Sequence, residues 1–210
     1  MLTRDEVRPG YYQERDIVAV FKRFLDPDQI ILNPDRPGSG NEFVDVVAGT
    51  DDTVILVQAK DSPNTANSLA RSLSRKVKTS GHQLDKAVSQ AEGALSYARG
   101  GDSVKLIVNK QHVDLHIAGR RFLSLAIIKE VFPSQSTAIL AAIAKFAARG
   151  ESLVILDYPA FSSFVHHFPD EHRLVEEFED FTRQVVDAGT WIDPQKFLLG
   201  RFLDRIAPAG

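Results

Sequence analysis

Three polar side chains interrupt two otherwise apolar runs of the sequence. Asp45 lies within the run Glu42–Ala48, whereas Gln58 and Lys60 end the run Thr53–Lys60. A buried carboxylate or ammonium group is costly unless it is paired or binds something. The carboxylate, the amide and the ammonium group therefore form the candidate chemical site, provided that the fold brings them together.

The two apolar runs predict adjacent β-strands joined by a polar turn at residues 49–52. If Ala48 pairs with Thr53, Asp45 lies opposite Leu56 in the antiparallel pair. Side chains alternate between the two faces of a strand, so the parity of the register decides which of them meet. A turn with one residue more or fewer would reverse the prediction. With the expected turn, one face carries Asp45, Leu56, Gln58 and Lys60.

This arrangement resembles the PD-(D/E)xK nuclease superfamily, in which an Asp on one strand precedes an acidic residue or Gln, any residue and a Lys on the next. The motif stands here as Asp45 followed by Gln58-Ala59-Lys60. The Gln in place of an acidic residue is similar to the Mrr-type branch of the restriction-endonuclease-like domains.

The predicted order of elements agrees with that resemblance. Helix, three strands, helix and strand follow one another in residues 1–110, as in the αβββαβ core of the restriction-endonuclease-like fold. We expect a mixed α/β fold, with residues 111–210 as a C-terminal extension of strands and helices packed on the same domain. The segment Asp61–Ser80 is predicted as a long loop, or as a loop with one short helix.

Hydrophobic periodicity places the individual elements. The predicted strands are Gln29–Asn33, Glu42–Ala48, Thr53–Lys60, Val104–Val108, Val113–Ile117, Phe122–Ile128 and Leu153–Asp157. The predicted helices are Tyr11–Leu25, His82–Arg99, Ser136–Ala148, Glu171–Asp187 and Pro194–Ile206.

The resemblance implies a metal-dependent hydrolysis of phosphodiester bonds, with Mg²⁺ or Mn²⁺ as the cofactor and DNA favoured over RNA as the substrate. Hard cations of this kind prefer oxygen ligands. Asp45 would be the principal ligand, Gln58 would offer a neutral amide oxygen, and Ala59 would offer its main-chain carbonyl. Lys60 would orient the attacking water or neutralise the phosphate as charge develops.

Glu14 is a further candidate, because it lies on the apolar stripe of the first predicted helix. In the resembled superfamily a Glu from the first helix joins the metal site, and Glu14 is the position that matches. The alternative is structural. A Glu at the start of a helix is favoured by the helix dipole and can turn towards water.

Charge is distributed unevenly along the chain, although the net charge is only −3. Residues 60–86 contain six basic and two acidic residues, whereas residues 170–187 contain seven acidic and two basic residues. Clustered basic residues can face phosphate. The alternative is that both segments are solvated surfaces. The predicted nucleic-acid contacts are Arg71, Arg75, Lys76 and Lys78, with Gln83, Lys86 and Gln90 from the following helix.

Two further hypotheses compete with that of an active nuclease, and the first of them follows from the neutral Gln58. It leaves Asp45 and Glu14 as the charged ligands, so metal affinity should be low. A catalytically inactive module that keeps the fold and binds nucleic acid or protein is therefore the alternative. A third interpretation is an interaction module that uses its acidic C-terminal helices.

Several classes of protein are disfavoured by composition. The chain has no Cys, so a disulfide framework and a Cys-based metal site are excluded. Residues 1–10 lack the apolar core of a signal peptide, and no run of about 18 apolar residues predicts a membrane span. We expect a cytoplasmic protein that does not enter a membrane, and we leave a homodimer or a larger complex open.

His112 and His116 would suit a metal pair only on a helix. Alternation in the residues around them predicts a strand instead.

Overall fold

The computed structural model describes residues 11–38, 40–61, 70–168 and 170–206. Its strands are β1 (Ile30–Leu32), β2 (Val46–Gly49), β3 (Thr53–Lys60), β4 (Ser103–Val108), β5 (Gln111–His116), β6 (Arg121–Ile128) and β7 (Ser152–Asp157). Its α-helices are α1 (Tyr11–Phe21), α2 (Leu73–Ala98), α3 (Ser136–Ala147), α4 (Tyr158–His167), α5 (Glu171–Ala188) and α6 (Pro194–Ile206). Short 3₁₀ turns occupy Pro27–Gln29 and Pro133–Gln135.

Five strands form one mixed sheet in the order β1-β2-β3-β6-β7. The pairs β1–β2 and β2–β3 are antiparallel, whereas β6 is parallel to β3 and β7 is parallel to β6. Parallel neighbours need crossover connections, and α2 and α3 lie in the two that this sheet requires. The predicted mixed α/β class and the αβββαβ order are confirmed, with α1, β1, β2, β3, α2 and β6 as the six elements.

The last strand of that order differs from the prediction. Residues Val104–Val108 were expected there, but they belong to β4, which pairs with β5 in a separate two-stranded sheet. The connecting residues Asn109 and Lys110 have φ values of 50° and 67°, which a two-residue hairpin turn requires. The first four residues of β4 alternate between exposed and buried, whereas the last six residues of β6 are all buried, as a strand between parallel neighbours should be.

The hydrophobic core draws on both halves of the chain. Residues of β3, β6 and β7 form its centre, and α4, α5 and α6 add a cluster of aromatic rings around Phe164. That ring contacts Phe168, Phe178, Phe181 and Phe197, at centroid distances from 5.1 to 6.1 Å. Within the described residues, no helix combines the length and hydropathy needed to cross a bilayer.

Helix α2 begins nine residues earlier than predicted, at Leu73 instead of His82. The segment Asp61–Ser80 is therefore a loop only in part, and residues 62–69 of it lie outside the described residues. Ser80 explains the difference, because it occupies the buried stripe of the helix. Its hydroxyl donates to the carbonyl of Glu130 at 2.5 Å and contacts Oε1 of Gln135 at 3.2 Å. A polar residue therefore has a buried role that periodicity could not reveal.

Candidate active site at the β2–β3 hairpin

The hairpin brings the three candidate side chains together. Val46 pairs with Val57, which places Asp45 opposite Gln58 and not opposite Leu56. The register differs from the expected one by two residues, and a shift of two keeps every side chain on its predicted face. The Nζ atom of Lys60 lies 2.8 Å from Oδ2 of Asp45 and 3.3 Å from Oε1 of Gln58. The predicted convergence on one face is confirmed.

The turn at the other end of the hairpin sets this register. Gly49 still pairs with Val54, and the N–H of Thr50 donates to the carbonyl of Thr53 at 2.9 Å, so the loop is tighter than the expected residues 49–52. The hydroxyls of Thr50 and Thr53 both donate to Oδ1 of Asp52, at 2.8 and 2.9 Å. These two hydrogen bonds, in that order of size, lower the pKa of Asp52 to about 2, with a further contribution from Arg121. The carboxylate of Asp52 thus holds the turn that aligns Asp45 with Gln58.

Lys60 and Asp45 form a buried ion pair. Their side chains are 12% and 7% exposed. The main-chain N–H of Ala59 also donates to Oδ2 of Asp45, at 2.5 Å, and the Lys60 ammonium donates to the carbonyl of Ala59 at 3.1 Å. Burial of two charges is costly, and these hydrogen bonds offset that cost.

One oxygen of the Asp45 carboxylate remains open. Both of the side-chain hydrogen bonds that Asp45 accepts reach Oδ2, so Oδ1 accepts none from the described residues. An ionised carboxylate has about four acceptor sites on its two oxygens. Asp45 therefore retains acceptor capacity on the face where Lys60 and Gln58 converge.

The oxygen atoms around Lys60 fit a hard cation in their chemistry. A carboxylate, an amide and a main-chain carbonyl oxygen are ligands that Mg²⁺ and Mn²⁺ accept, usually with several waters. The oxygens of Asp45, Gln58 and Ala59 already surround a positive charge, since each lies within 3.3 Å of the Lys60 ammonium. Among the described residues, however, no three His, Asp or Glu side chains are grouped so as to hold a metal. The oxygens therefore suit a hard cation by their chemical type, although Asp45 contributes the only negative charge among the three.

Glu14 reaches the same region through a residue that the sequence analysis missed. Glu14 is buried, and its Oε2 accepts a hydrogen bond from Nδ2 of Asn33 at 3.0 Å. The main-chain N–H of Asn33 donates to the carbonyl of Asp45 at 2.9 Å, and the β1–β2 register places the two residues opposite each other. Asn33 has a φ of 49°, a backbone conformation for which Asn is enriched. Its position before Pro34, at the end of a short strand, was the available signal.

The predicted nucleic-acid contacts lie on α2 or just before its first residue. Arg71, Arg75, Lys78 and Lys86 are exposed, whereas Lys76, Gln83 and Gln90 are partly buried. None of the five basic residues forms an ion pair with a described carboxylate. Six arginines elsewhere do so, namely Arg99, Arg121, Arg149, Arg173, Arg183 and Arg201, whereas Lys22, Lys105 and Lys110 form no ion pair with a described carboxylate. These unpaired charges are available to a ligand, and the partly buried glutamines are less so.

The first two turns of α2 extend past the edge of the sheet at which Lys60 lies. Lys60 is the last residue of β3 and pairs with Ile128, the last residue of β6. Ser80 is bonded to Glu130, two residues beyond that edge, and α2 packs on β3 and β6 through the residues that follow Ser80. The seven helical residues before Ser80 therefore span about 10 Å beyond it. We define residues 71–79 as the basic arm, which carries Arg71, Arg75, Lys76 and Lys78.

The two histidines considered as a metal pair lie on a strand, as the sequence analysis expected. His112 and His116 are both exposed residues of β5. Asp157 has a structural role, since its Oδ1 accepts the N–H of Ala160 and caps α4. Burial raises the pKa of Asp157.

Comparisons with known proteins add little to this description. No family model matches the chain, and no curated protein matches it. One similar solved structure is the small subunit (R.BspD6I2) of the heterodimeric restriction endonuclease R.BspD6I. It has 13% sequence identity and a TM-score of 0.45, over 86% of this chain and 90% of that one. A likeness at this level carries no information about activity, and the fold assignment rests on the element order and the sheet topology.

Proposed function

We propose that the chain is a metal-dependent nuclease of the restriction-endonuclease-like superfamily, with the Gln-containing motif of the Mrr-type branch. The observation that carries the proposal is the contact of the Lys60 ammonium with oxygens of Asp45, Gln58 and Ala59 on one face of the hairpin. DNA is the preferred substrate, on the basis of the resemblance to that superfamily.

The oxygens of Asp45, Gln58 and Ala59 would hold Mg²⁺ or Mn²⁺. When bound, such an ion polarises the phosphoryl oxygen and makes a water a better nucleophile. Asp45 carries the negative charge of this set, and its open Oδ1 gives it a lone pair that no described residue uses. Asn33 holds the buried Glu14 carboxylate close to Asp45, the residue that precedes β2, so Glu14 would add a second acidic group to the region.

Lys60 supplies the positive charge that the reaction needs at the phosphorus. Charge on the non-bridging oxygens grows as the attacking water approaches, and a fixed cation within hydrogen-bonding distance stabilises that charge most in a water-poor site. The Lys60 side chain is largely buried, at the edge of the sheet from which the basic arm extends. A backbone bound along that arm would present its phosphates to this edge.

A plasmid-nicking assay tests the proposal. The wild type should convert supercoiled plasmid to the open circular form in Mg²⁺, and Lys60→Ala should reduce the rate by about 10²–10³-fold, because it removes the stabilising cation. Lys129→Ala is the matched control. Lys129 lies near the same edge but forms its ion pair with Asp61, so this variant should retain nicking. Equal activity in Lys60→Ala and in the wild type would contradict the proposal.

A nuclease-fold module that binds nucleic acid without cleaving it is the second candidate. Two observations favour it. Gln58 is neutral, and the described residues contain no cluster of three acidic or His side chains suited to a metal. The same plasmid distinguishes the two functions in a gel-shift assay. Binding that persists in EDTA, without nicking in Mg²⁺ or Mn²⁺, would favour the module over the nuclease.

A further inference from the structure

The ammonium group of Lys60 occupies the position between the oxygens that would hold a metal. It has three N–H donors, and the structure provides three acceptors: Oδ2 of Asp45 at 2.8 Å, the carbonyl of Ala59 at 3.1 Å and Oε1 of Gln58 at 3.3 Å. These are the three oxygen donors that the proposed function assigns to a divalent cation. Lys60 thus satisfies the same atoms without any metal.

We propose that Lys60 is the resident counter-ion of this oxygen set and that it competes directly with divalent cations for it. The inference rests on the proposed function, because it takes the set to be a metal site. An ammonium and a divalent cation cannot share three oxygens at these distances, since their mutual repulsion in a buried site would be large. A divalent cation can reach the open Oδ1 of Asp45, but it takes all three of the oxygens that hold the ammonium only after the ammonium has left.

The Lys60 side chain is suited to leave. Its backbone is fixed by pairing with β6, but its ammonium is carried on an unbranched four-carbon stem, and 12% of the side chain is exposed. An ammonium that leaves the oxygens gives up three acceptors and needs new ones. Phosphate oxygens at the same sheet edge are acceptors of the right charge. Binding of the cation is in this way coupled to the presentation of Lys60 to the substrate.

A Mn²⁺ titration tests the competition without measuring activity. Calorimetry on Lys60→Met should give an affinity at least about tenfold tighter than that of the wild type, because the competing charge is gone. Lys129→Met is the matched control, since it removes a nearby charge that pairs with Asp61 and lies outside the oxygen set. Its affinity should change by less than about threefold, because the Lys129 charge is already paired with Asp61. Asp45→Asn should bind Mn²⁺ more weakly than the wild type.

The direction of the effect separates competition from a structural role. Loss of a merely stabilising ion pair would leave the affinity unchanged or lower it, whereas loss of a competitor raises it. Lys60→Met should therefore bind metal more tightly and cleave DNA more slowly than the wild type. These opposite signs are expected only if one group performs both tasks.

A measurement on the unmodified protein keeps the test valid if Lys60→Met folds poorly. Lysine side-chain ¹⁵N–¹H spectra of the wild type should show a hydrogen-bonded ammonium signal that Lys60→Arg removes and that Mg²⁺ displaces. Wild-type affinity in Lys60→Met, with weaker binding in Asp45→Asn, would overturn the competition but leave the nuclease proposal intact. No Mn²⁺ binding by either the wild type or Lys60→Met would overturn both.

Discussion

Glu177 and Asp45 are two of the buried carboxylates that pair with cations, and they differ in how completely their oxygens are used. Glu177 on α5 is 3% exposed, and its two oxygens meet two guanidinium groups, Arg173 and Arg201, each at 2.7 Å. Asp45 is 7% exposed and uses only Oδ2, which meets the ammonium of Lys60. Both oxygens of Glu177 are therefore used in ion pairs, whereas Oδ1 of Asp45 has no partner among the described residues.

The cations that pair with these two carboxylates also differ, in how firmly each is held in place. Arg201 also pairs with Asp180, which in turn pairs with Arg183, so the α5–α6 cluster is a closed network of rigid guanidinium groups. Guanidinium groups hold carboxylates in a fixed geometry, whereas a lysine ammonium is a mobile point charge on a flexible stem. Burial and ion pairing alone therefore do not identify a functional site. An open oxygen next to a displaceable cation does so better.

Cleavage should distinguish the two carboxylates most strongly. Asp45→Asn should reduce plasmid nicking by about 10³-fold, because it removes the charged ligand of the proposed site. Glu177→Gln is the matched variant on α5, and it should retain nicking within a few-fold at temperatures where it is folded. The measurement is the initial rate of nicking in Mg²⁺. Similar losses in both variants would mean that the open carboxylate has no special role.

Nucleic-acid binding should depend on the basic arm and not on basic residues elsewhere on the surface. Replacing Arg75, Lys76 and Lys78 together by Gln should weaken binding and flatten the slope of log K against log salt by about two to three units, because each phosphate contact contributes about 0.9. The control is the triple replacement of Lys22, Lys105 and Lys110 by Gln, which removes the same charge elsewhere. A slope that changes equally in both triples would place the nucleic acid on another surface.

The effects on stability should come in the reverse order, with a larger loss at Glu177 than at Asp45. Glu177→Gln should lower the free energy of unfolding by about 2 kcal/mol, because it removes the charge of a buried carboxylate and leaves two guanidinium groups short of a partner. Asp45→Asn should cost about 1 kcal/mol, since an Asn oxygen can still accept from Ala59 and Lys60. Urea denaturation of the two variants measures this directly. A larger loss in Asp45→Asn would argue that its ion pair with Lys60 is primarily structural.

The role of Asn33 in the site can be tested with two variants that lack the same side-chain hydrogen bond. Asn33→Gly and Asn33→Ala both remove the hydrogen bond to Glu14, but only Ala is strained at a φ of 49°. Asn33→Ala should therefore be less stable than Asn33→Gly by about 1 kcal/mol. If the Glu14 carboxylate takes part in the site, both variants should also lose nicking activity. Full activity in Asn33→Gly would remove Glu14 and Asn33 from the site.

The smallest expected effect concerns the turn that sets the hairpin register. The folded pKa of Asp52 is about 2, below the value of about 4 for an unfolded Asp. Its ionisation therefore adds stability above pH 4, and this contribution is lost as the pH falls through 2. Melting temperatures between pH 5 and pH 2 should show the wild type losing its advantage over Asp52→Asn. A constant difference across that range would contradict the assignment.

The sequence was most informative where local periodicity decides the structure. Strand parity was enough to bring Asp45, Gln58 and Lys60 to one face, even though the register itself was shifted by two residues. Parity survives such a shift, whereas the register depends on the turn. The hydroxyls of Thr50 and Thr53 tighten that turn around Asp52, and no hydrophobic pattern records this.

The features that were missed depend on contacts between distant residues. The start of α2 follows from the hydrogen bonds of Ser80 to Glu130 and Gln135, which are at least 50 residues away. The link from Glu14 to Asp45 passes through Asn33, which the sequence shows only as the last residue of a predicted strand. Contacts of this kind become visible only when the chain is folded.

The central claim is that this hairpin is a metal-dependent nuclease site, and the metal dependence of wild-type nicking tests it most directly. Supercoiled plasmid should remain intact in EDTA and become nicked when Mg²⁺ or Mn²⁺ is added in excess, with the activity lost again on chelation. A wild-type protein that binds the plasmid but leaves it supercoiled with either metal would contradict the claim. So would nicking that proceeds unchanged in EDTA.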